Sequence, residues 1–210
     1  MTADAALTAD RIREAADRLF CRRGYDAVSV NEIAAAARTK KALVFYHFGT
    51  KERLFERVLE RYYHAHREAL ATSFAGEGTL PVRLHRMVDA YLDFIVHNHR
   101  YAALIQQQTS SSSLHPLIER NLAPLFRWTQ EVMLEAAPST GPIAARQFFV
   151  TFSGIVINYF TYAPLLADLW GGDPMSPRAL QERREHVHWM LDVVLDRLER
   201  ARTARRRRSS

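Results

Sequence analysis

Between Glu32 and Glu52 the chain has no acidic residue, while Arg38, Lys40, Lys41 and Lys51 all fall within that stretch. Four cations around one short segment form a local footprint for phosphate, which is the chemistry of nucleic-acid contact. Other reactive groups are set aside by their spacing. The nine histidines include the pairs His64/His66, His97/His99 and His186/His188. All lie in or beside expected helices, where residues two apart point to nearly opposite faces and cannot share an ion. No HExxH frame is present and Cys21 is the sole cysteine, so no metal site and no disulfide are expected. Ser110–Ser113 lacks a G-x-S-x-G frame and reads as a loop, and no glycine-rich phosphate cradle occurs. No catalytic residue and no cofactor are expected, and an enzyme is disfavoured.

The net charge of +6 does not make the whole protein basic. Six arginines crowd into Arg200–Arg208, and without them 23 basic residues face 23 acidic ones. The phosphate footprint is therefore local. Residues 203–210 are expected to form a basic, disordered tail. The first residues show no charged segment leading into an apolar one, so no signal peptide is expected and a cytoplasmic protein is the simple reading. Residues 148–167 are free of charge over twenty positions, long enough for a membrane span. Thr151, Ser153, Gly154, Asn158, Thr161 and Pro164 interrupt that segment, which favours a buried core or dimer helix and no membrane.

These groups must be positioned by helices, because helical periodicity runs the length of the chain and no strand alternation survives. Ile12, Ala15, Ala16, Leu19 and Phe20 trace one helix face, ended by Gly24. Ser29 and Glu32 have the form of a capping box that opens a second, short helix. A third spans Lys40–His47, closed by Phe48-Gly49, with Val44 and Phe48 as core. Thr50 caps a long fourth helix with Leu54, Phe55, Val58, Leu59 and Tyr62 inward. Pro81 starts the next, with Leu84, Val88, Tyr91, Leu92 and Ile95 as its inner stripe. A shorter helix covers Arg100–Gln108. His115–Ala136 is helical with a kink at Pro124, Ile143–Trp170 follows one linker, and Arg178–Arg202 follows another. Only a few residues separate the second and third helices, as a helix-turn-helix requires.

The stretch GYDAVSVNEIAAAARTKKALVFYHFGTKERLFERVLE, from Gly24 to Glu60, resembles the signature of the tetracycline-repressor (TetR) family. The Gly24-Tyr25 corner, the Ser29 cap, Glu32-Ile33-Ala34 and FYHFGTKERLF from Phe45 to Phe55 carry the resemblance. It implies an all-α fold: an N-terminal helix-turn-helix DNA-binding unit (residues 1–50) joined by a long helix to a larger effector-binding and dimerisation bundle (51–202). It also implies site residues. Ser29 would set its hydroxyl and backbone N–H against phosphate. Thr39, Lys40 and Lys41 would reach the major groove, the lysines donating to guanine O6/N7 or to phosphate. Tyr46, His47 and Lys51 would meet the DNA backbone. Phe45 stands where the family often has tyrosine and loses that hydroxyl. Leu43 would offer methyl contact to thymine or point inward. Arg38 stands where many members have glycine, so the turn either differs or carries a left-handed cost of roughly 1 kcal/mol.

For the rest of the chain the resemblance implies a homodimer on a pseudo-palindromic operator in double-stranded DNA, and a pocket for a small-molecule effector. Residues 143–170 and 178–202 are the interface candidates. Tyr91, Phe94, His97, Gln106, Trp128, Phe149, Phe152 and Tyr159 are the pocket candidates, suited to a mainly apolar ligand. The expected function is a ligand-responsive transcriptional regulator, a repressor by first choice. The alternative is a small-molecule-binding or enzymatic helical protein with a non-functional helix-turn-helix.

Overall fold

Ile12, Ala15, Ala16 and Phe20 recur at helical spacing, and in the computed structural model they form the fully buried face of α1 (Ala3–Arg23). The structure describes residues 3–102, 104 and 115–209. Gly24, at φ 82°, ends α1 and donates its N–H to Phe20 O at 2.8 Å. α2 (Val30–Ala36) follows, then α3 (Lys41–Phe48) and the long α4 (Lys51–Ala75). Thr50 caps α4 by accepting from Arg53 N at 3.1 Å. The first three helices pack on one another. Their core includes Ile33, Val44, Leu54 and Leu59, and Phe20 meets Phe55 edge-on at 5.0 Å. Burying each such side chain contributes about 1.5–3 kcal/mol. Phe48, expected in this core, is only half-buried.

After Gly78 the chain forms α5 (Leu80–His97), α6 (His115–Met133), α7 (Ala145–Thr161), α8 (Ala163–Trp170) and α9 (Pro177–Ser209). Residues 99–102 are also helical, and the rest of the helix expected over Arg100–Gln108 lies outside the described residues, apart from Leu104, as does the polar run Thr109–Ser113. α5 packs against α7 and α9, and its expected stripe of Leu84, Val88, Tyr91, Leu92 and Ile95 is buried throughout. Polar contacts join α5 to α9. Arg184 reaches Asp89 and Asp93, His188 Nε2 lies 2.8 Å from Asp89, and the Nδ1 atoms of His85 and His188 are 2.6 Å apart. Pro124 lies inside α6, which continues on both sides of it.

Two expectations are corrected. Residues 143–170 do not form one helix: α7 and α8 meet at a 67° bend around Tyr162. Pro164 explains the break, since its ring displaces the carbonyl four residues earlier and it has no N–H to donate. Among the described residues no single helix is long and apolar enough to cross a membrane, and α7 with α8 reaches that length only across the bend. The arginine-rich tail, expected to be disordered, continues α9 to Ser209. Arginine is a good helix former, and Arg200–Asp196 and Thr203–Glu199 contacts carry the helix forward. By compactness the chain divides into two units, the division falling within α4. One comprises the described residues of Met1–Ala65 and Ala103–Asn121, the other those of His66–Ala102 and Leu122–Ser210.

Candidate functional site

α3 is held out by the two turns that flank it. The preceding turn closes α2 with two backbone hydrogen bonds, Thr39 N to Ala34 O at 2.9 Å and Arg38 N to Ala35 O at 3.0 Å. That is a Schellman ending, and its left-handed position is normally glycine. Here Arg38 occupies it at φ 51°, the second of the two outcomes the sequence leaves open, at a cost of about 1 kcal/mol. Arg11, on α1, supports the turn by donating to Ala37 O at 2.6 Å and Arg38 O at 3.0 Å. Both carbonyls belong to the end of α2 and lack helical partners, so the guanidinium satisfies them and ties the turn to α1. After α3, Gly49 at φ 74° turns the chain into α4.

Of the eight residues of α3, Val44 alone is buried. Lys41, Ala42, Leu43, Phe45 and Tyr46 face solvent, with Phe45 42% and Tyr46 78% exposed. So many exposed apolar and aromatic groups on one short helix are unfavourable unless a partner covers them. Lys40, just before the helix, is exposed, and Thr39 and His47 are half-buried. Lys41 lies 5.7 Å from the Phe45 ring centre, one helical turn away. The structure thus places Thr39, Lys40, Lys41, Leu43, Phe45, Tyr46 and His47 along one projecting segment.

Two expected contacts are placed differently. The backbone N–H and hydroxyl of Ser29 both donate to Glu32 Oε2, at 2.8 and 2.7 Å, while Glu32 N donates back to Ser29 Oγ. Both donors expected to meet phosphate are therefore committed to a carboxylate. These bonds and Arg23, 2.5 Å from Glu32, hold the Glu32 carboxyl down at about 2, the Ser29 backbone bond contributing most. The ammonium of Lys51 sits 4.2 Å above the Tyr25 ring, and burial lowers its pKa. Lys51 is thus half-buried against the corner aromatic that also packs on Phe55 at 4.8 Å. Leu43 faces outward, which resolves the two orientations open to it.

A model of the bacterial regulatory proteins of the tetR family matches residues 12–58 of the chain, the segment just described. The overall fold is shared with solved structures, among them that of the fatty acid degradation regulator FadR from Bacillus halodurans. That structure has a TM-score of 0.69 and 18% identity, covering 88% of this chain and 94% of that one. The N-terminal segment of the chain, residues 12–58, is thus similar to the tetR family. Two curated relatives are the HTH-type transcriptional repressor NicS of Pseudomonas putida, 26% identical over 118 residues, and the HTH-type transcriptional activator FasR of Mycolicibacterium smegmatis, 35% identical over 95. The first alignment covers 56% of this chain and 56% of NicS, the second 43% and 42% of FasR, so the chain spans about half the length of the curated relatives it matches.

The second unit contains a cavity of about 50 Å³. Three pocket candidates, Tyr91, Phe149 and Phe152, line it, beside Met87, Met133 and Phe148. Phe94 lies behind the wall, stacked on His66 at 4.8 Å. His97 is exposed, its Nδ1 2.7 Å from Asp93 O, because it falls at the solvent end of α5. Trp128 packs edge-on against Phe74 instead. Tyr159 donates to Pro174 O at 2.7 Å and lies under Arg183. Gln106 lies outside the described residues. Sequence reasoning missed His66, a buried wall residue whose place in a His-x-His pair drew attention to metal instead. It also missed Arg11 and Asp17. Asp17 is buried on α1 and accepts from Tyr62 Oη through both carboxylate oxygens, at 2.8 and 2.9 Å.

Proposed function

We propose that this protein is a DNA-binding transcriptional repressor that sits on a pseudo-palindromic operator as a dimer and is released by a small, mainly apolar effector. The observation that carries the reading is the exposure of α3: a basic, acid-free helix that buries one side chain and presents Lys41, Leu43, Phe45 and Tyr46 outward. In this reading Thr39, Lys40 and Lys41 meet base edges and phosphate, Leu43 meets a thymine methyl, Phe45 packs against the duplex surface, and Tyr46 and His47 donate to the backbone. Lys51 is a marginal contact, already engaged by Tyr25. The negative sense follows the printed role of NicS.

The dimer is supported by what the second unit leaves uncovered. Val150, Leu165, Leu169, Trp170, Trp189 and Val193 are each 49–68% exposed, and all lie in the expected interface segments. A second copy of the chain would bury them and would present two α3 helices to successive major grooves. Effector bound in the cavity favours a dimer whose reading helices are wrongly spaced, and operator affinity falls by the difference in binding energy, about 1–3 kcal/mol on the usual scale. Selection of binding sites from random duplexes by the full chain tests the proposal. Enrichment of an inverted repeat, with reporter expression falling when the protein is supplied, supports it. Recovery of no motif, or of single half-sites only, overturns it.

A further inference from the structure

Among the described residues, no charged side chain lines the cavity of the second unit. Aromatic rings from Tyr91, Phe148, Phe149 and Phe152 form much of its wall, with Met87 and Met133 between them. Two of its polar residues spend their hydroxyls within their own helices, Thr129 on Leu125 O at 2.9 Å and Ser153 on Val150 O at 3.4 Å. His66 differs. Its side chain is clamped between two nearly parallel rings, Tyr91 at 4.6 Å and Phe94 at 4.8 Å, with Tyr101 edge-on. Rings on both faces fix the plane of the imidazole and hence the direction of its edge nitrogens. It is 3% exposed, and its Nε2 has no hydrogen-bond partner among the described residues.

The protonation state of that ring follows from its surroundings. Burial lowers its pKa to about 3, so the imidazole is neutral at physiological pH. Its Nδ1 lies 3.5 Å from the Tyr101 hydroxyl. The phenol is the stronger acid of the two, so it donates to Nδ1 and the ring proton resides on Nε2. The result is a preoriented donor with no partner among the described residues, on a mostly apolar, aromatic wall. An anion entering this cavity would lose its hydration with no cation to receive it, whereas a neutral oxygen acceptor would complete the donor at little cost.

We propose that the cavity takes an uncharged aromatic ligand bearing one oxygen acceptor, a carbonyl or a hydroxyl, held by His66 Nε2–H. This rests on the effector reading above and narrows it to the charge and head group of the ligand. A volume of about 50 Å³ is small beside the roughly 300–1,000 Å³ of ligand pockets. Entry therefore requires Met87 and Met133 to shift, as flexible thioether chains can.

Ethylbenzene, acetophenone and benzoate share a ring and a similar size, and differ in head group. Titrated into the full chain at pH 7.5 and followed by saturation-transfer NMR, acetophenone should bind about tenfold more tightly than ethylbenzene, the scale of one added hydrogen bond. Benzoate should show no saturable binding. His66→Phe should leave ethylbenzene within about twofold of its original Kd and abolish the acetophenone advantage; His66→Gln, which keeps a donor, should retain part of it. Benzoate binding as tightly as acetophenone in the unaltered protein overturns the proposal without any variant, as does an undiminished preference in His66→Phe. If all three compounds fail to bind, the effector reading fails with it; if they bind in the wrong order, only the head-group assignment fails.

Discussion

Removing one oxygen atom from Tyr62 should destabilise the N-terminal unit measurably. Asp17 on α1 is 7% exposed and receives a single O–H shared between its two oxygens. Tyr62, on α4, is 4% exposed and its hydroxyl is pushed well above the ordinary phenol range, first by burial and then by the bond to Asp17. Tyr62→Phe keeps the ring and leaves the buried carboxylate with the weaker thiol donor of Cys21, 3.4 Å from Oδ1. A hydrogen bond to a charged group contributes about 1.5–3 kcal/mol, so a loss of about 2 kcal/mol is expected. With a urea slope of about 2 kcal/mol per molar, the midpoint should fall by about 1 M. Urea denaturation followed by circular dichroism reads this directly. Asp17→Leu alone removes the carboxylate that accepts from the hydroxyl and should cost about 1–3 kcal/mol. The double variant strands neither partner and should be more stable than the sum of the two single losses implies. A loss under about 0.5 kcal/mol for Tyr62→Phe, or strict additivity in the double variant, would refute this account of the α1–α4 contact.

Three further outcomes are expected. Replacing Lys40 and Lys41 with Ala should weaken operator binding and reduce the slope of log K against log salt by about 0.9 for each lysine that touches phosphate, read by fluorescence anisotropy. An unchanged slope in both single variants would mean that neither contacts the backbone. The Glu32 carboxyl is held at about 2 in the folded chain, below its usual 4.5. Its contribution to stability is thus complete above 4.5 and is lost as pH falls toward 2. Thermal denaturation of Glu32→Gln should show a shallower decline over that window than the parent protein. Trp189→Asp should yield monomer at micromolar concentration in sedimentation experiments, because a charge replaces a side chain that is 57% exposed in the single chain; an intact dimer would move the interface elsewhere.

The features legible in the sequence are those set by residues a few positions apart. Ser29 and Glu32 announce the capping box, and Gly24 ends α1. The inner stripe of α5 was equally plain, since burial follows the helical period. Contacts across long separations left no such trace. Arg11 reaches backbone carbonyls 26 and 27 residues away, and a carbonyl carries no residue type to match. Asp17 and Tyr62 are 45 residues apart on separate helices. The commitment of Ser29 to Glu32 follows from the same capping box that placed it, so the pattern that found the residue also used up its donors. Composition misled at Pro164, which read as one polar interruption in an apolar run and proved to be the point where the chain bends. The pocket candidates were chosen as aromatics, whereas the wall is decided by which face of each helix turns inward, a property of packing and not of residue type.

The claim that α3 reads DNA is tested most directly by a photoreactive side chain. Benzoylphenylalanine in place of Tyr46, 78% exposed near the end of α3, should crosslink on irradiation to duplex carrying the selected site. The same group in place of Glu14, exposed on α1, should not. Crosslinks from both positions alike, or from neither while the operator remains bound, would contradict the assignment of α3 as the surface that meets the duplex.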